Sequence, residues 1–471
     1  MANHSTALNK ETYEARFDMA NSVRDGRIAG VFHTWWPLAA SWILMGLEVP
    51  AVSAVIARLP HPTVGLAAYG GIVMPVAMFI EGPIIMLLAA STALSRDRAS
   101  YAVGRRFMLR AGFALTAVHA LVAFSPLYDL VAGRVLHAPA ETLEAGRLGM
   151  RIMTFWTIAI AYRRFQQGVL IRFGHGRSVG VGTAVRLGTN VVLLTIGGLA
   201  THLPGIAVGT IAVASGVLAE ALYAGWRVHP VIARELPEHD TSAAPLTTAG
   251  FMHFYTPLAL TPLFLFAGLP ITSAALGRMP LALDSLAAWP VVNGLAFTVR
   301  SLGFAFNEVV VSLLEKPGAA AALQRFAWGI AIVGSLVLGI LAVTPLASIY
   351  FADVSALPAH LQPLAGKALW ILVPLPAITA LQSLYQGALV HHRRTRAVTE
   401  SVLVFLGVLV LLQAIGVATQ KWTGLYVAFV ALVGANAAQV LWLWLRGRHA
   451  YVSLTGPAAP ESLPLSDPPT S

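Results

Sequence analysis

The sequence predicts an all-α polytopic membrane protein of about twelve transmembrane helices in two parallel-repeat six-helix lobes. Composition is the first reason. Of 471 residues, 57% are hydrophobic and only 11% are charged, with a mean hydropathy of +0.71. That is more apolar surface than a water-soluble core of this size uses. The second reason is internal duplication. Shifted by 220 residues, His33–Tyr69 lies on His253–Trp289 without a gap and with 12 identities in 37 positions. The identities include His33/His253, Pro37/Pro257, Pro50/Pro270, Arg58/Arg278 and Pro60/Pro280, which an alanine- and leucine-rich composition does not supply by chance. The third reason is the placement of basic residues, taken up below.

A bilayer span needs about 20 mostly apolar residues, and twelve stretches qualify. In the first half they are Val31–Ala57, Val64–Leu94, Leu109–Gly133, Leu148–Ile171, Val179–Thr201 and Leu203–Trp226. In the second they are Phe251–Leu276, Ala282–Leu313, Ala327–Phe351, Gly366–Val390, Val398–Ala418 and Gly424–Leu445. This divides the chain into a polar segment (1–30), a first lobe (31–227), a linker (228–250), a second lobe (251–446) and a Pro/Ser-rich tail (447–471) expected to be disordered. Past the opening stretch the repeat continues at an offset of 219: Arg106-Phe107 meets Arg325-Phe326, Ser125-Pro126-Leu127 meets Thr344-Pro345-Leu346, and Gln167-Gly168 meets Gln386-Gly387. Six spans per half give both halves the same orientation.

Basic residues set that orientation. With the N-terminus inside, 20 of the 31 Lys and Arg fall in the N-terminal segment and on the loops of its side, against seven on the other. The positive-inside rule then puts both termini in the cytoplasm, with the inner (cytoplasmic) membrane as location. Met1–Gly30 lacks the short apolar core of a cleavable signal, so the first helix is expected to serve as its own insertion signal. The net charge of +10 follows from those loops and not from a nucleic-acid partner.

Charge inside the membrane is expensive and usually faces a partner or a wet cavity. Arg163, Arg164, Arg186 and Arg300 lie well inside spans, as do Glu48 and Glu81. Arg163 and Gln167 share a helix face, as do Thr183, Arg186 and Asn190. Asn293, Arg300 and Asn307 repeat at a spacing of seven and keep one face for roughly 20 Å, a stripe suited to a water-accessible cavity. Thr379, Gln382 and Gln386 form a further polar face. Glu48 precedes Pro50, which frees a backbone carbonyl and makes room for a cation or water. Ion pairing of Glu48 or Glu81 with Arg163 or Arg186 is the plainer alternative. Glu220 and Glu308 are expected nearer the cytoplasmic ends in structural roles, and His119 in the core with its hydrogen bonds met.

Zero cysteines exclude disulfides, thiolate metal sites and cysteine nucleophiles. There is no P-loop and no His/Asp/Glu cluster at metal-ligand spacing, so no catalytic or metal residues and no cofactor are expected. The only His/Arg concentration, His391–Arg396, has no carboxylate partner for transferase chemistry.

The topology resembles the multidrug/oligosaccharidyl-lipid/polysaccharide flippase superfamily. Leu66-Ala67-Ala68-Tyr69-Gly70 to Ala90-Ser91-Thr92-Ala93-Leu94 is similar to the layout of its multidrug and toxic compound extrusion (MATE) exporters. The stretch Val118–Ser125, on through Leu136-His137, and Gly168–Ile171 before a basic loop look more like the progressive ankylosis protein. The resemblance implies a V-shaped pair of lobes, alternating access, and export driven by H+ or Na+. MATE exporters often couple the cation on a first-span carboxylate, here Glu48, whereas the family residue is typically Asp. Ankylosis-type relatives imply an anionic solute, which intramembrane arginines suit.

The resulting expectation is a secondary active transporter, not an enzyme, exporting a small, anionic, organic or phosphate-bearing solute. Arg163, Gln167, Arg186, Asn190, Asn293, Arg300, Asn307, Gln382 and Gln386 are expected to bind substrate, and Glu48 and Glu81 to handle the coupling ion. Its partners would be that solute and membrane lipids, with the protein monomeric. A flippase for a lipid-linked anion, a MATE-type multidrug exporter and, more remotely, a membrane transferase or a channel are the alternatives.

Overall fold

The computed structural model describes residues 28–455 apart from 201, 241–244, 315, 317, 318 and 393. Of the tail expected to be disordered, residues 447–455 continue α12 as helix and the rest lies outside the described residues. All regular structure among them is helical. The long helices are α1 (Ile28–Arg58), α2 (Pro62–Leu94), α3 (Arg98–Phe124), α4 (140–172), α5 (Gly176–Ala200) and α6 (Gly205–Arg234). They continue with α7 (Thr248–Leu276), α8 (Ala282–Leu313), α9 (Ala319–Val343), α10 (Ala359–His391), α11 (Thr395–Thr419) and α12 (Gly424–Thr455). Eleven are long and apolar enough to cross a membrane. The remaining one, α4, carries Arg147, Arg151, Arg163 and Arg164 and occupies the repeat position of α10. This is a multi-pass integral membrane protein.

Several boundaries differ from the hydropathy reading, three of them for an evident local reason. Helix α3 starts at Arg98 instead of Leu109, because Asp97 and Ser100 form a reciprocal capping box. It stops at Phe124 because Ser125, which precedes Pro126, is extended (φ −115°, ψ 173°), the conformation a following proline imposes. Helix α9 likewise ends before Thr344-Pro345. Helix α6 runs on past Trp226 to Arg234.

The duplication is visible in backbone as well as sequence. His61 and Leu281 both take left-handed φ values near +57°, as do His137 and Ala356 near +50°. These pairs sit at offsets of 220 and 219, so each half makes the same two turns without glycine. A π-helical turn in α2, Tyr69–Val73, explains the change of offset. It adds one residue to α2 that the uninterrupted α-helix α8 lacks. Beyond the bulge Glu81 corresponds to Arg300. Carrying the 220-residue shift past the bulge would instead set Arg300 against Ile80.

The first helix of each half packs on both halves. Near the end that carries the basic loops, Trp35 of α1 donates Nε1–H to the Leu302 carbonyl of α8 (2.9 Å) and meets the Phe326 ring at 5.3 Å. Reciprocally, Tyr255 of α7 donates to the Pro83 carbonyl of α2 (2.5 Å) and meets Phe107 at 4.9 Å. All three residues of one contact are repeat partners of those in the other. At the far end, Arg58 donates to the carbonyls of Asp353 (2.6 Å) and Val354 (3.0 Å) in the opposite half. Arg278 donates to Val135 (2.9 Å) and Arg134 (3.3 Å). These carbonyls close the repeat-related π-helical turns Asp129–Val135 and Tyr350–Val354. Gly277 lies where a Cβ would come within 2.4 Å of the Leu136 carbonyl, so the chains meet there too closely for a side chain.

Two outcomes follow. Replacing Arg58 and Arg278 together by alanine removes about 1 kcal/mol of hydrogen bonding per arginine at this partly exposed surface. Amide hydrogen exchange over 129–135 and 350–354 should then rise by roughly five- to tenfold, and unchanged exchange would refute the linkage. At the other end, Asp97 accepts from Ser100 N (2.7 Å) and from Asp240 N of the linker (3.1 Å). Hydrogen bonding from Ser100, side chain first and amide second, holds the Asp97 carboxyl below its ordinary 3.8. A depressed folded value means this stabilisation is present above pH 3.8 and fades as pH falls through the lower folded value. Asp97→Ala should flatten the acid dependence of exchange protection in the first turn of α3.

Candidate functional site

A buried charge network joins four helices of the first half. Glu220, midway along α6 and 1% exposed, accepts from Arg163 Nη1 of α4 (2.5 Å) and Gln167 Nε2 (2.9 Å). Thr183 of α5 lies at 3.4 Å and Arg186 Nε at 3.3 Å from the same carboxylate. Arg186 Nη1 donates in turn to Glu48 of α1 (2.6 Å), which also accepts from Asn190 Nδ2 (2.7 Å). Glu220 therefore touches both arginines, and Arg186 bridges both carboxylates.

Local sequence makes room for this. Gly216 on α6 leaves a gap that Asn190 fills: a Cβ there would fall 1.9 Å from Asn190 Oδ1. Glu48 directly follows the break in α1 at Leu47. Pro50 has no N–H to offer Gly46, so that carbonyl lacks its helical partner. The sequence suggested that a cation or water would take it. Instead Thr298 Oγ1 of α8 donates to Gly46 O at 3.0 Å, tying the break to the second half.

The second half replays these positions with neutral groups. The partners of Glu48, Arg186 and Asn190 are Gly268, Phe405 and Leu409, and those of Glu220, Arg163 and Gln167 are Gln439, Gln382 and Gln386. The Gly268 Cα faces Leu409 and Phe405, at 3.2 and 3.8 Å from where its Cβ would be. The ionic contact of one half is thus an apolar contact in the other, and the fold does not require the charge.

Arg300 stands apart. It is 9% exposed on α8, with Nε donating to Thr379 Oγ1 of α10 (2.8 Å) and Nη2 to Asn436 Oδ1 of α12 (3.2 Å). Its guanidinium carbon lies 5.1 Å from the Phe304 ring centroid. Its repeat partner Glu81 is 3% exposed, and one carboxyl oxygen has no hydrogen-bond partner among the described residues. Glu81 does not join the pairs expected for it, because no Arg, Lys or His nitrogen among those residues comes within 4.0 Å.

The expected stripe on α8 separates. Asn307 donates to the Ser383 carbonyl of α10 (3.3 Å), a helix-to-helix bond, and Asn293 is half-buried without such a bond among the described residues. Gln382 and Gln386 are half-buried, and Gln382 Oε1 has no hydrogen-bond partner among the described residues. Arg300 and Asn307 thus both bond to α10, and Arg300 to α12 as well. Cavities of about 410 Å³ at Leu94–Gly250 and about 580 Å³ at Pro60–Ile206 lie at the two ends of the bundle, away from these residues. His119 is satisfied as expected, by Thr157 Oγ1 (3.2 Å) and Met150 O (3.0 Å).

Sequence reasoning missed Glu220 and Asn436. Ending α6 at Trp226 put Glu220 near a helix end, whereas in Gly205–Arg234 it is central. The unused signal for Asn436 was its pairing with Gln439, one turn on along α12. Glu308 is exposed beside Trp42, which donates to it.

No protein-family model matches the chain, and no curated protein matches it in sequence. Solved structures match it in fold. An inward-facing multidrug resistance MATE family transporter of the MOP superfamily aligns over 87% of this chain and 95% of its own (TM-score 0.68, 14% identity). An outward-facing conformation of such a transporter aligns over 93% and 98% (TM-score 0.57, 14% identity). A MOP superfamily transporter from Pyrococcus furiosus also aligns over 93% and 98% (TM-score 0.58, 14% identity) and is described as having a binding pocket of reverse polarity that suggests a different function. The chain thus has the fold of the MATE transporters, twelve helices in two lobes.

Removing one partner of a buried ion pair strands the other charge, which costs ~3–5 kcal/mol. Glu220→Gln strands Arg163 and weakens Arg186, so thermal unfolding in detergent should show a clear loss of stability. Glu48→Gln leaves Arg186 beside Glu220 and should lower stability less. Gly216→Ala should resemble Glu48→Gln by displacing Asn190 and, through it, Glu48. Equal effects of the two glutamate variants would contradict the shared-carboxylate geometry.

Proposed function

We propose that this protein is a secondary active transporter that moves a small anionic solute by alternating access, with H+ or Na+ as the coupling ion. The observation that carries this reading is a charge-balanced network buried in only one of two otherwise equivalent halves, at the joint of a helix that packs on both. The conformations named for the fold relatives, one inward-facing and one outward-facing, agree with halves that rock against each other. The excess of basic residues supports placing the Trp35/Tyr255 end in the cytoplasm, with both termini there and the protein in the cytoplasmic membrane.

The geometry suggests how coupling would work. The first part of α1 packs on α8 and α9 of the second half, and the part beyond Leu47 packs on α6 of the first while keeping its contact with α8. Rocking bends that joint, and Glu48 lies one residue beyond it. A proton or Na+ arriving at Glu48 competes with Arg186 and Asn190 for its oxygens. Freed Arg186 still has Glu220, so the switch avoids the ~3–5 kcal/mol cost of a stranded charge. A bias of a few kcal/mol between two states is enough to invert their populations. Arg163 and Arg186 then act mainly in coupling, and substrate charge falls to the second half.

Reconstituted vesicles test this with a panel of anionic and cationic solutes, with and without pH and Na+ gradients. Gradient-driven flux of an anion is expected. Glu48→Gln should retain solute exchange at equilibrium and lose most gradient-driven accumulation. Accumulation in Glu48→Gln equal to wild type would remove Glu48 from coupling, and flux of cationic solutes alone would overturn the substrate class.

A further inference from the structure

We propose that Arg300, Thr379 and Asn436 form a subsite for a small oxyanion, a carboxylate or phosphate group, in the second half. This rests on the transporter reading and names the solute group its second half would hold.

Charge balance is the first argument. In the first half Glu48, Glu81 and Glu220 offset Arg163, Arg164 and Arg186. In the second half Arg300 has no carboxylate within 4.0 Å among the described residues. Its helix carries Asp284 in the first turn and Glu308 two helical turns away beside Trp42, while the described spans α7, α9, α10 and α12 carry no acidic residue. Glu400, at the start of α11, is engaged by Arg396 and Arg446. A guanidinium 9% exposed and bonded only to neutral acceptors keeps its full charge in a low-dielectric setting, where a second charge of opposite sign is the strongest available partner.

Repeat comparison is the second argument. The partners of Thr379 and Asn436 are Ile160 and Val217, both buried at 3% and 2% exposure. Apolar groups therefore satisfy the fold at those places, and the two polar residues serve Arg300. Each accepts one of its N–H groups, which fixes the plane of the guanidinium and leaves Nη1 with no hydrogen bond to a described residue. Helix-to-helix adhesion alone would need no charge, as the neutral Asn307 bond to Ser383 shows. A fixed planar fork with a free donor is instead the form that recognises an oxyanion.

The test uses purified full-length protein in detergent with inorganic phosphate and acetate as probes, followed by thermal unfolding, since a ligand that binds the folded state raises Tm with concentration. Wild type and Glu48→Gln should both be stabilised by one or both probes. Arg300→Gln should abolish the effect. Thr379→Val and Asn436→Ala keep the charge but release its orientation, and should weaken apparent affinity roughly tenfold, about 1.4 kcal/mol. If Arg300→Gln fails to fold, these two variants carry the test. No probe dependence in wild type, or equal stabilisation of Arg300→Gln or both orienting variants, overturns the subsite. Gradient-driven flux with Arg300-independent stabilisation would sink the subsite and leave the transporter reading standing. Arg300-dependent stabilisation with no flux of any solute would do the reverse.

Discussion

Glu220 is the group on which the first half depends. One carboxylate, removed from solvent, holds arginines from two helices and a glutamine and threonine beside them. Without it the desolvated positive charges of α4 and α5 would repel each other with no water to screen them. With it, α4, α5 and α6 meet around a common anion, and Arg186 is left able to reach Glu48 on α1. The small residues of α6, Gly216 above all, let the helices approach closely enough for this. Van der Waals packing of small residues and satisfied polar groups are what drive helix association where lipid is as apolar as protein.

Around that centre the duplication works as a frame. Corresponding aromatic residues close one end, corresponding arginines close the other, and both sets belong to the first helix of each half. Because α1 and α7 each span the boundary, neither half moves without them. The single residue added by the π-helical turn in α2 rotates everything beyond it. That rotation brings Glu81 and Arg300 to equivalent places with opposite charge. The halves thus share a backbone and differ in electrostatics, which is where directionality and chemistry enter.

Much of the site could be read from residue spacing. Arg163 with Gln167, and Arg186 with Asn190, share faces and do meet common carboxylates. Glu48 was recognisable as an intramembrane charge beside a proline. Less was legible on α8, where a spacing of seven suggested one wet face. Of that stripe, Arg300 and Asn307 bond to residues of α10 and α12, partners far along the chain that spacing on one helix cannot name. The offset between repeats was equally hidden, since a π-helical turn has no composition of its own and shows only as a slipped register.

The sequence by itself determined the membrane class, the twelve helices, the duplication and the charges that had to be explained, because hydropathy, turn residues and basic loops act locally. Only the tertiary structure decided which charges cancel. Pairing depends on side chains from helices far apart in sequence converging within about 3 Å, and on helix lengths that set their depth. That convergence gave Glu220 its place at the centre, and among the described residues it left Glu81 without an ion-pair contact within 4.0 Å and Arg300 without a carboxylate beside it.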